Sequence, residues 1–262
     1  ITSHPGINKI SFTGSTETGK KVAESGGPSL KRLTLELGGN DAAIVLEDAV
    51  PSKIAEDIFN SAMANTGQVC AAIKRLYVHH SVYEEMCSAL KDQADKAIIG
   101  DGFKQGINFG PLQNKKQYEK VINLIKEAKE KGKVISGGEF SENPGFFIPI
   151  TIIRDIEDGI SLVDEEQFGP VLPIIKYSEL EEVIEKANGS SYGLGGSVWG
   201  EDIDFATQIA KRLQAGSVWV NQHAAIGPDI PLSGAKESGI GVEWGEEGLN
   251  EFSQIQVVNV KK

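Results

Sequence analysis

The sequence predicts an α/β fold in which a largely parallel, open sheet is flanked by helices. Short segments rich in valine, isoleucine and phenylalanine alternate along the chain with longer amphipathic segments, and this alternation is typical of βα units. The chain has 262 residues, of which 40% are hydrophobic and 24% are charged. A chain of this length removes roughly 70 to 75% of its unfolded surface from water on folding. We therefore expect one large domain or two smaller ones, stable without a disulfide or a metal.

The predicted strands are short apolar runs bounded by polar residues and glycines. In chain order their sequences are KISF, RLTLEL, AAIVL, RLYVH, FIPITII, VLPIIKY, GGSVWG, GSVWVN and the terminal QIQVVNV. Parallel pairing of such strands requires crossover connections, usually helices, between them.

The predicted helices carry apolar side chains at a period near 3.6 residues. The first three are residues 51–64, with Pro51 near the first turn, a helix around Cys87, and residues 115–131. A fourth helix begins with Ser178 and Glu181 as a capping box and ends near Asn188. A fifth carries an apolar stripe from Ile203 to Leu213. The polar, glycine-rich segments 100–114, 136–146 and 234–248 are predicted to be loops. Loops of this length usually bind a ligand or close over one.

The charge of the chain argues against several classes of function. A net charge of -11 and a pI near 5.0 would repel nucleic acid and an anionic membrane surface, so we expect neither as a partner. The sequence has no apolar run of the roughly 18 residues that span a membrane, and its first residues lack the features of a signal peptide. It also starts without Met. We expect a fragment of a cytoplasmic protein.

The two cysteines have different sequence contexts. Cys87 lies in SVYEEMCSAL, where Val82, Met86 and Leu90 recur at helical spacing, so we predict that it is a small apolar core residue. Cys70 lies in NTGQVCAA, where that periodicity stops, so we predict that it is reactive. The spacing of the pair fits neither a disulfide framework nor a metal site, and it suits a reducing compartment. We expect no bound metal.

The segment SFTGSTETGK, residues 11–20, predicts a strand, a tight turn at Gly14 and a helix that Ser15 caps. The free N–H groups at the start of that helix can bind an anion such as a cofactor pyrophosphate. The segment lacks the G-x-G-x-x-G pattern, and a capped helix after a strand explains it without any ligand.

A carboxylate, Glu36, ends the predicted strand LTLEL just before Gly38 and Gly39. It is either a solvated strand end or a general base whose pKa is tuned by a partly buried cleft. Cys70 follows 34 residues later, which is enough for a strand, a turn and a crossover helix to bring both residues to the same edge of a sheet. In EEQFGPVLP, residues 165–173, Phe168 and a Gly-Pro turn precede another buried strand.

Seven motifs of this sequence resemble, in order and spacing, those of the NAD(P)-dependent aldehyde dehydrogenase superfamily, over essentially the whole chain. They are FTGSTETG, LELGGN, GQVC followed by RLYV, EEQFGP, YGLGGSVW, GSVWVN and PLSGAKESGIGVE. The resemblance implies a catalytic domain with a Rossmann-like open sheet at residues 38–238 and a remnant of the cofactor-binding domain at residues 1–37. It implies a C-terminal segment with an oligomerisation strand at residues 239–262. Subunits of the family are longer, so we expect the first part of the cofactor domain to precede this chain.

The resemblance also implies roles for individual residues. Cys70 aligns with the catalytic nucleophile and Glu36 with the general base. The implied contacts of NAD or NADP are Gly14 and Ser15 at the pyrophosphate, Leu37 and Gly38 beside the nicotinamide, and Glu166 and Phe168 at its ribose and ring; the implied substrate-binding residues are Asn221, His223 and Ile226. An aldehyde would form a thiohemiacetal and then a thioester on Cys70, which water activated by Glu36 would hydrolyse to a carboxylic acid.

Two other functions remain open. A cysteine-dependent acyl hydrolase or transferase usually pairs its cysteine with a histidine, and nothing in the sequence places one of the four histidines beside Cys70. A non-catalytic dehydrogenase-like scaffold would have no use for both Cys70 and Glu36. The terminal EFSQIQVVNV alternates apolar and polar residues, so we expect a homodimer or homotetramer formed by strand addition.

Overall fold

The computed structural model of the chain describes residues 1–140 and 145–262. The strands are β1 (Lys9–Thr13), β2 (Arg32–Glu36), β3 (Asp41–Val45), β4 (Ile73–His79), β5 (Lys133–Ser136), β6 (Thr151–Arg154), β7 (Val171–Tyr177), β8 (Tyr192–Gly193), β9 (Gly195–Trp199), β10 (Ser217–Val220), β11 (Ala235–Lys236) and β12 (Gly239–Ile240). The helices are α1 (Thr16–Gly26), α2 (Pro51–Met63), α3 (Tyr83–Ala94), α4 (Lys115–Lys131), α5 (Ser161–Asp164), α6 (Leu180–Asn188), α7 (Ile203–Ala210) and α8 (Gly245–Asn250). The predicted loop at 136–146 lies partly outside the described residues.

The largest sheet has seven strands in the order β10-β9-β3-β4-β7-β6-β5. Every neighbouring pair is parallel except β5, which runs antiparallel to β6 at one edge. Crossovers through α2, α3 and α7 supply the connections that parallel pairing requires. The predicted α/β fold with a largely parallel sheet is therefore confirmed.

The seven-stranded sheet is covered on both faces. In β3, Ala42 and Ile44 join one hydrophobic cluster while Ala43 and Val45 join the other, because successive side chains of a strand point to opposite faces. All five residues of β3 are buried, as expected for a parallel strand between two helical layers. Cys87 on α3 is 2% exposed within one of these clusters, which confirms the prediction of a core cysteine.

A second sheet of three strands joins the two ends of the described chain. β1 pairs in parallel with β2, and β12 pairs antiparallel with β2 so that Gly239 lies opposite Glu36. The prediction of one continuous loop at 234–248 is therefore wrong, since β11, β12 and the start of α8 lie within it. Glycine is needed at this contact, because an added Cβ on Gly239 would lie 2.3 Å from the carbonyl oxygen of Leu35.

Three further predictions of local structure are wrong. QIQVVNV lies outside every strand of the described residues, because a strand needs a paired neighbour and this segment lies against none. The strand predicted at FIPITII begins only at Thr151, after Pro149, which has no N–H to donate. α6 begins at Leu180 with Glu179 as its N-cap residue, so Ser178 lies one residue too early to form the predicted capping box.

No helix among the described residues is both long and apolar enough to cross a membrane. The three-stranded sheet is built from residues 9–36 and 239–240, and the seven-stranded sheet from residues 41–220. The boundaries at residues 38 and 238 lie between these sheets and stay a prediction.

Candidate active site

Three of the segments that carry predicted site residues meet at the amino edge of the seven-stranded sheet. Cys70 precedes β4, residues 37–40 precede β3, and Glu166 and Phe168 precede β7. The expectation that Cys70 and Glu36 share one edge of a single sheet is wrong, because Glu36 ends β2 in the three-stranded sheet. Only residues 37–40 separate β2 from β3, so the chain passes directly from one sheet to the other without a crossover helix.

The loop before Cys70 adopts an unusual backbone conformation. Asn65, Thr66 and Gly67 have φ angles of 49°, 61° and 73°, which is the left-handed region that favours glycine. An added Cβ on Gly67 would lie 2.2 Å from the carbonyl oxygen of Gly169. The Cys70 loop is thus held tightly against the segment that follows Phe168, at a cost in backbone strain that is common at functional sites.

Cys70 is partly exposed, and its charged neighbours act on it in opposite directions. Burial raises the pKa of the Cys70 thiol most, while the positive charge of Lys74 and a hydrogen bond from the Ala71 N–H lower the pKa. The carboxylates of Asp41 and Glu166 raise the pKa further. Because the shift is upward from an already basic ordinary value, Cys70 is mainly a neutral thiol at pH 7, and it needs a base or a nearby positive charge to react.

Glu36 is a buried carboxyl group with an incomplete set of partners. Its side chain is 5% exposed and its Oε1 atom has no hydrogen-bond partner among the described residues. Burial, aided by the charge of Glu243, raises the pKa of Glu36 to about 7, although a hydrogen bond from the Gly234 N–H lowers it. A carboxyl group with a pKa near neutrality can accept a proton from water or from a thiol at physiological pH.

The segment that follows Glu36 approaches the Cys70 loop at Gly39. Within the described part of the chain, the two side chains share no hydrogen bond. Gly39, three residues beyond Glu36, packs so closely that an added Cβ would lie 2.8 Å from the carbonyl oxygen of Cys70. The segment from Glu36 to Gly39 therefore runs alongside the Cys70 loop.

Glu166 contacts the same segment at Gly38 and Gly39. Its Oε1 atom accepts a hydrogen bond from the Gly39 N–H at 3.0 Å, and an added Cβ on Gly38 would lie 2.5 Å from its Oε2 atom. Helix α4 fixes this loop, since Lys120 Nζ donates to the Glu166 carbonyl at 2.8 Å and Gln117 Nε2 donates to the carbonyl of Phe168 at 3.2 Å. The Glu166 carboxylate therefore packs directly against the backbone of Gly38 and Gly39.

Gly14 and Ser15 lie at the end of β1, next to the end of β2. The Gly14 N–H donates to the Glu36 carbonyl at 3.0 Å, and Ser15 Oγ accepts from the Thr18 N–H at 3.3 Å as the N-cap of α1. The predicted cap of this helix is therefore confirmed. Leu37 packs against the same helix, where an added Cβ on Gly19 would lie 2.4 Å from its side chain.

A groove of 430 Å³ is lined in part by Val69 and Ala71, the two neighbours of Cys70. Its walls are the exposed face of α2 with Asp57, Asn60, Ser61 and the following Ala64, the loop residues Val69 and Ala71, and residues 221–224. The residues of α2 were missed by the sequence analysis, although a polar helix face directly before a reactive cysteine is a signal that could have found them. Ile226 is 50% exposed and lies outside this lining.

Asn221 and His223 line the groove while their polar atoms bind the protein itself. Asn221 exchanges two hydrogen bonds with the Gly200 backbone, at 2.7 and 2.9 Å. His223 Nδ1 lies 2.9 Å from Ser197 Oγ, and its Nε2 lies 3.0 Å from the Ala71 carbonyl oxygen. A histidine is therefore next to Cys70 in space, which the sequence did not indicate, but its nitrogens contact the backbone and a serine rather than the thiol.

The sequence of this chain is similar to those of known proteins. A sequence model of the aldehyde dehydrogenase family matches residues 1–258. The chain is 40% identical to a putative aldehyde dehydrogenase, DhaS, of Bacillus subtilis over 259 residues, which are 98% of this chain and 52% of that protein. The chain thus spans about half the length of the curated relatives it matches.

Solved structures with similar sequences also match the fold of this chain. The NAD+ complex of an aldehyde dehydrogenase from Bacillus cereus matches with a TM-score of 0.95 and 40% identity, over 100% of this chain and 54% of that one. An NADP-dependent enzyme of E. coli matches with a TM-score of 0.92 and 35% identity, over 96% of this chain and 52% of that one.

Proposed function

The chain belongs to the aldehyde dehydrogenase family, and from this we propose that the protein oxidises an aldehyde to a carboxylic acid with NAD or NADP as the oxidant. The observation that carries the proposal is the pairing of a partly exposed Cys70 with a buried Glu36 whose pKa is about 7. The general base and the nucleophile loop are joined by the short segment from Glu36 to Gly39, which packs against both Glu166 and Cys70.

The residues present fit part of a dinucleotide site. The N-terminus of α1 with its Ser15 cap suits a pyrophosphate, with Gly14 at the turn before it. The Glu166 carboxylate lies so close to Gly38 that an added Cβ would meet its Oε2 atom at 2.5 Å, and a carboxylate can accept hydrogen bonds from ribose hydroxyls. Leu37 and Phe168 would border the nicotinamide. When bound, the nicotinamide supplies an acceptor for the hydride that leaves the adduct on Cys70.

In the first half of the proposed reaction, the sulfur of Cys70 attacks the aldehyde carbon and the thiol proton is lost. The new bond joins sulfur to carbon, and the aldehyde oxygen becomes the oxyanion of a thiohemiacetal. The Cys70 N–H is a candidate donor to that oxygen. Because the thiol is mainly neutral at pH 7, a base must take its proton, and Glu36 is the candidate for this role. Loss of hydride from the same carbon leaves a thioester on Cys70.

In the second half, Glu36 takes a proton from a water molecule that attacks the thioester carbon. The new carbon–oxygen bond replaces the carbon–sulfur bond, and Cys70 leaves as a thiolate while the carboxylic acid is released. A pKa of about 7 for Glu36 makes this group a base strong enough to assist, yet it is largely ionised above neutrality. The proposed deacylation therefore speeds up as pH rises through about 7.

The substrate would occupy the 430 Å³ groove beside Val69 and Ala71. Asp57, Asn60 and Ser61 make one wall polar, while Val69 and Ala71 are apolar. This mixture suits an aldehyde of medium size, aromatic rings included, with an apolar body and a polar or positively charged end. Asn221 would shape this groove through its two hydrogen bonds with the Gly200 backbone, and His223 through its contact with the Ala71 carbonyl oxygen.

The proposed function is tested by replacing each cysteine in turn. Cys70→Ser is expected to lower the rate of aldehyde-dependent NAD(P)+ reduction by about a thousandfold or more, because serine lacks a comparably acidic nucleophile. Cys87→Ser is the matched control and is expected to keep turnover within a few-fold. Mass spectrometry of the wild-type protein with aldehyde and cofactor should detect an acyl group on the Cys70 peptide.

Equal rates of aldehyde-dependent NAD(P)+ reduction by Cys70→Ser and the wild type would contradict this proposal. Ester or thioester turnover by Cys70 without any cofactor reduction would favour a cysteine-dependent hydrolase or transferase. Cofactor or aldehyde binding without turnover in the wild type would favour a non-catalytic scaffold.

A further inference from the structure

The backbone around Cys70 turns four successive carbonyl groups toward two buried side chains. Lys74 Nζ lies 2.8 Å, 2.5 Å and 3.5 Å from the carbonyl oxygens of residues 69, 70 and 72. His223 Nε2 lies 3.0 Å from the carbonyl oxygen of residue 71. Between them, these two side chains bind every carbonyl group from residue 69 to residue 72.

The contacts of Lys74 are those of an ammonium group. Its side chain lies at the start of β4 and is 2% exposed. An ammonium has three N–H donors and no acceptor, and three carbonyl oxygens surround this one. Burial lowers the pKa of Lys74, while the charges of Asp41 and Glu166 raise it. Burial outweighs the two charges, so the pKa of Lys74 lies below its ordinary value. A carbonyl oxygen can only accept a hydrogen bond, however, and only the ammonium form has an N–H donor for each of the three contacts, so these contacts favour the charged form.

His223 is fixed by partners on three sides. Its Nε2 lies 3.5 Å from Asp41 Oδ2, and both side chains are 0% exposed. The carbonyl oxygen can only accept a hydrogen bond, so Nε2 carries a proton, and Nδ1 faces Ser197 Oγ at 2.9 Å. Ser197 Oγ in turn accepts from Trp199 Nε1 at 2.9 Å. This network leaves His223 one orientation, and that orientation supports the loop.

Resting on the proposed role of Cys70 as nucleophile, we propose that Lys74 and His223 are its positioning residues. They hold the carbonyl groups of residues 69–72 turned into the protein, which leaves the Cys70 side chain on the open side of the loop, and the charge of Lys74 stabilises the thiolate. The groups that act on the sulfur are Lys74 from β4, Asp41 from β3, Glu166 from the loop before β7 and the Ala71 N–H. Among the side chains of this set, Lys74 is the only one that favours the thiolate.

The test is the alkylation rate of each cysteine by iodoacetamide, followed by peptide mass spectrometry between pH 6 and pH 11.5, because the pKa of Cys70 is already raised in the wild type. Cys87 serves as an internal reference, because it is 2% exposed and reacts only when the protein unfolds. Lys74→Met removes both the charge and the donors. We expect the midpoint of the Cys70 profile to rise by about one pH unit or more, which is about a tenfold slower reaction at pH 7. Lys211→Met, at an exposed lysine after α7, controls for the loss of one charge and should cause no shift.

Two further variants keep the test decisive if Lys74→Met unfolds, which rapid alkylation of Cys87 would reveal. Lys74→Gln keeps an amide donor without the charge, and the same upward shift is expected. Lys74→Arg keeps the charge, and a midpoint close to that of the wild type is expected. The proposal is overturned by a folded uncharged variant with the wild-type midpoint, or by a folded Lys74→Arg whose midpoint shifts as far as that of the uncharged variant.

His223→Phe separates positioning from charge. It removes the donor to the carbonyl group of residue 71 while retaining a ring, so we expect the plateau rate of Cys70 at high pH to change several-fold and the midpoint to stay in place. An unchanged plateau in a folded His223→Phe protein would remove His223 from the proposal.

This readout distinguishes failure of the inference from failure of the proposed function. If Cys70 of the wild type reacts no faster than Cys87, the nucleophile assignment itself fails. If Cys70 is reactive but insensitive to Lys74 and His223, only the inference fails. Neither outcome requires turnover of an aldehyde or a bound cofactor.

Discussion

At the scale of single residues, Glu36 combines two properties that oppose each other. A buried carboxylate is costly for the folded protein, because burial favours the neutral form. Its pKa rises from the ordinary value of 4.5 to about 7, and this shift is also what equips the group to act as a base near neutrality. Such a conflict between stability and chemistry is typical of active sites.

Glu36→Gln is expected to stabilise the protein at pH 8 while it abolishes deacylation. The folded-state pKa lies above that of the unfolded chain, so wild-type stability is fully present below about 4.5 and is lost as pH rises through about 7. Glutamine does not ionise, so the variant should gain about 1 to 3 kcal/mol in the free energy of unfolding at pH 8 and almost nothing at pH 4. Urea unfolding at both pH values measures this gain.

Glu246→Gln is the control, since Glu246 is exposed on α8 and its replacement should leave the stability at both pH values within a few tenths of a kcal/mol. If Glu36→Gln were no more stable than the wild type at pH 8, the assigned pKa of Glu36 would be wrong. Rapid-quench measurements should show a thioester on Cys70 that persists in Glu36→Gln, with its decay in the wild type accelerating between pH 6 and pH 8.

At the scale of elements, the candidate site is formed by loops that lead into the amino ends of strands. Cys70, Gly39 and Glu166 each precede a parallel strand of the seven-stranded sheet, and close contacts between loop backbones hold them together. Gly67 is central to this packing because of its φ angle of 73° and its contact with Gly169. The loop geometry therefore requires a residue without a Cβ at position 67.

Gly67→Ala is expected to destabilise the protein and to slow the alkylation of Cys70. The left-handed conformation costs an L-residue about 1 to 2 kcal/mol, and the Cβ placed 2.2 Å from the Gly169 carbonyl oxygen adds about 1 to 3 kcal/mol of overpacking. Gly106→Ala is the matched control, because its φ of 81° is similar but no described atom lies within 4 Å of an added Cβ. Denaturant unfolding that gave equal losses for both variants would contradict the role of the Gly169 contact.

At the scale of the whole molecule, the C-terminal segment presents apolar side chains and pairs with no strand among residues 1–140 and 145–262. Ile255, Val257, Val258 and Val260 are 91%, 74%, 76% and 80% exposed. Such a segment is able to pair with the sheet of another subunit, which would bury these side chains and satisfy the free backbone groups. We propose a homodimer or homotetramer that uses this segment.

Light scattering with size-exclusion chromatography is expected to show an oligomer at micromolar concentration, and Val257→Asp should shift it toward the monomer. The charge would be buried without a partner in a subunit contact. Ile203→Asp is the control, since Ile203 is 62% exposed on α7 and should leave the assembly unchanged. A wild-type monomer, or equal effects of the two variants, would count against this use of the segment.

The sequence by itself determined the fold class and the core of its main elements, and its motifs suggested the chemistry. The alternation of apolar strands and amphipathic helices determined the α/β class, and the helical spacing around Cys87 identified it as a core cysteine, while the reactivity of Cys70 stays a prediction. Periodicity and turn residues are local properties, so they are visible in one dimension.

Only the tertiary structure decided which groups surround Cys70 and on which sheet each one lies. Lys74 and His223 are 149 residues apart, and both donate to the Cys70 loop, while Glu36 belongs to a different sheet from the one that Cys70 precedes. Strand order determines which loops meet at a sheet edge, and no local pattern encodes that order. The C-terminal strand failed to form for a related reason, since the pairing of a strand depends on what lies beside it.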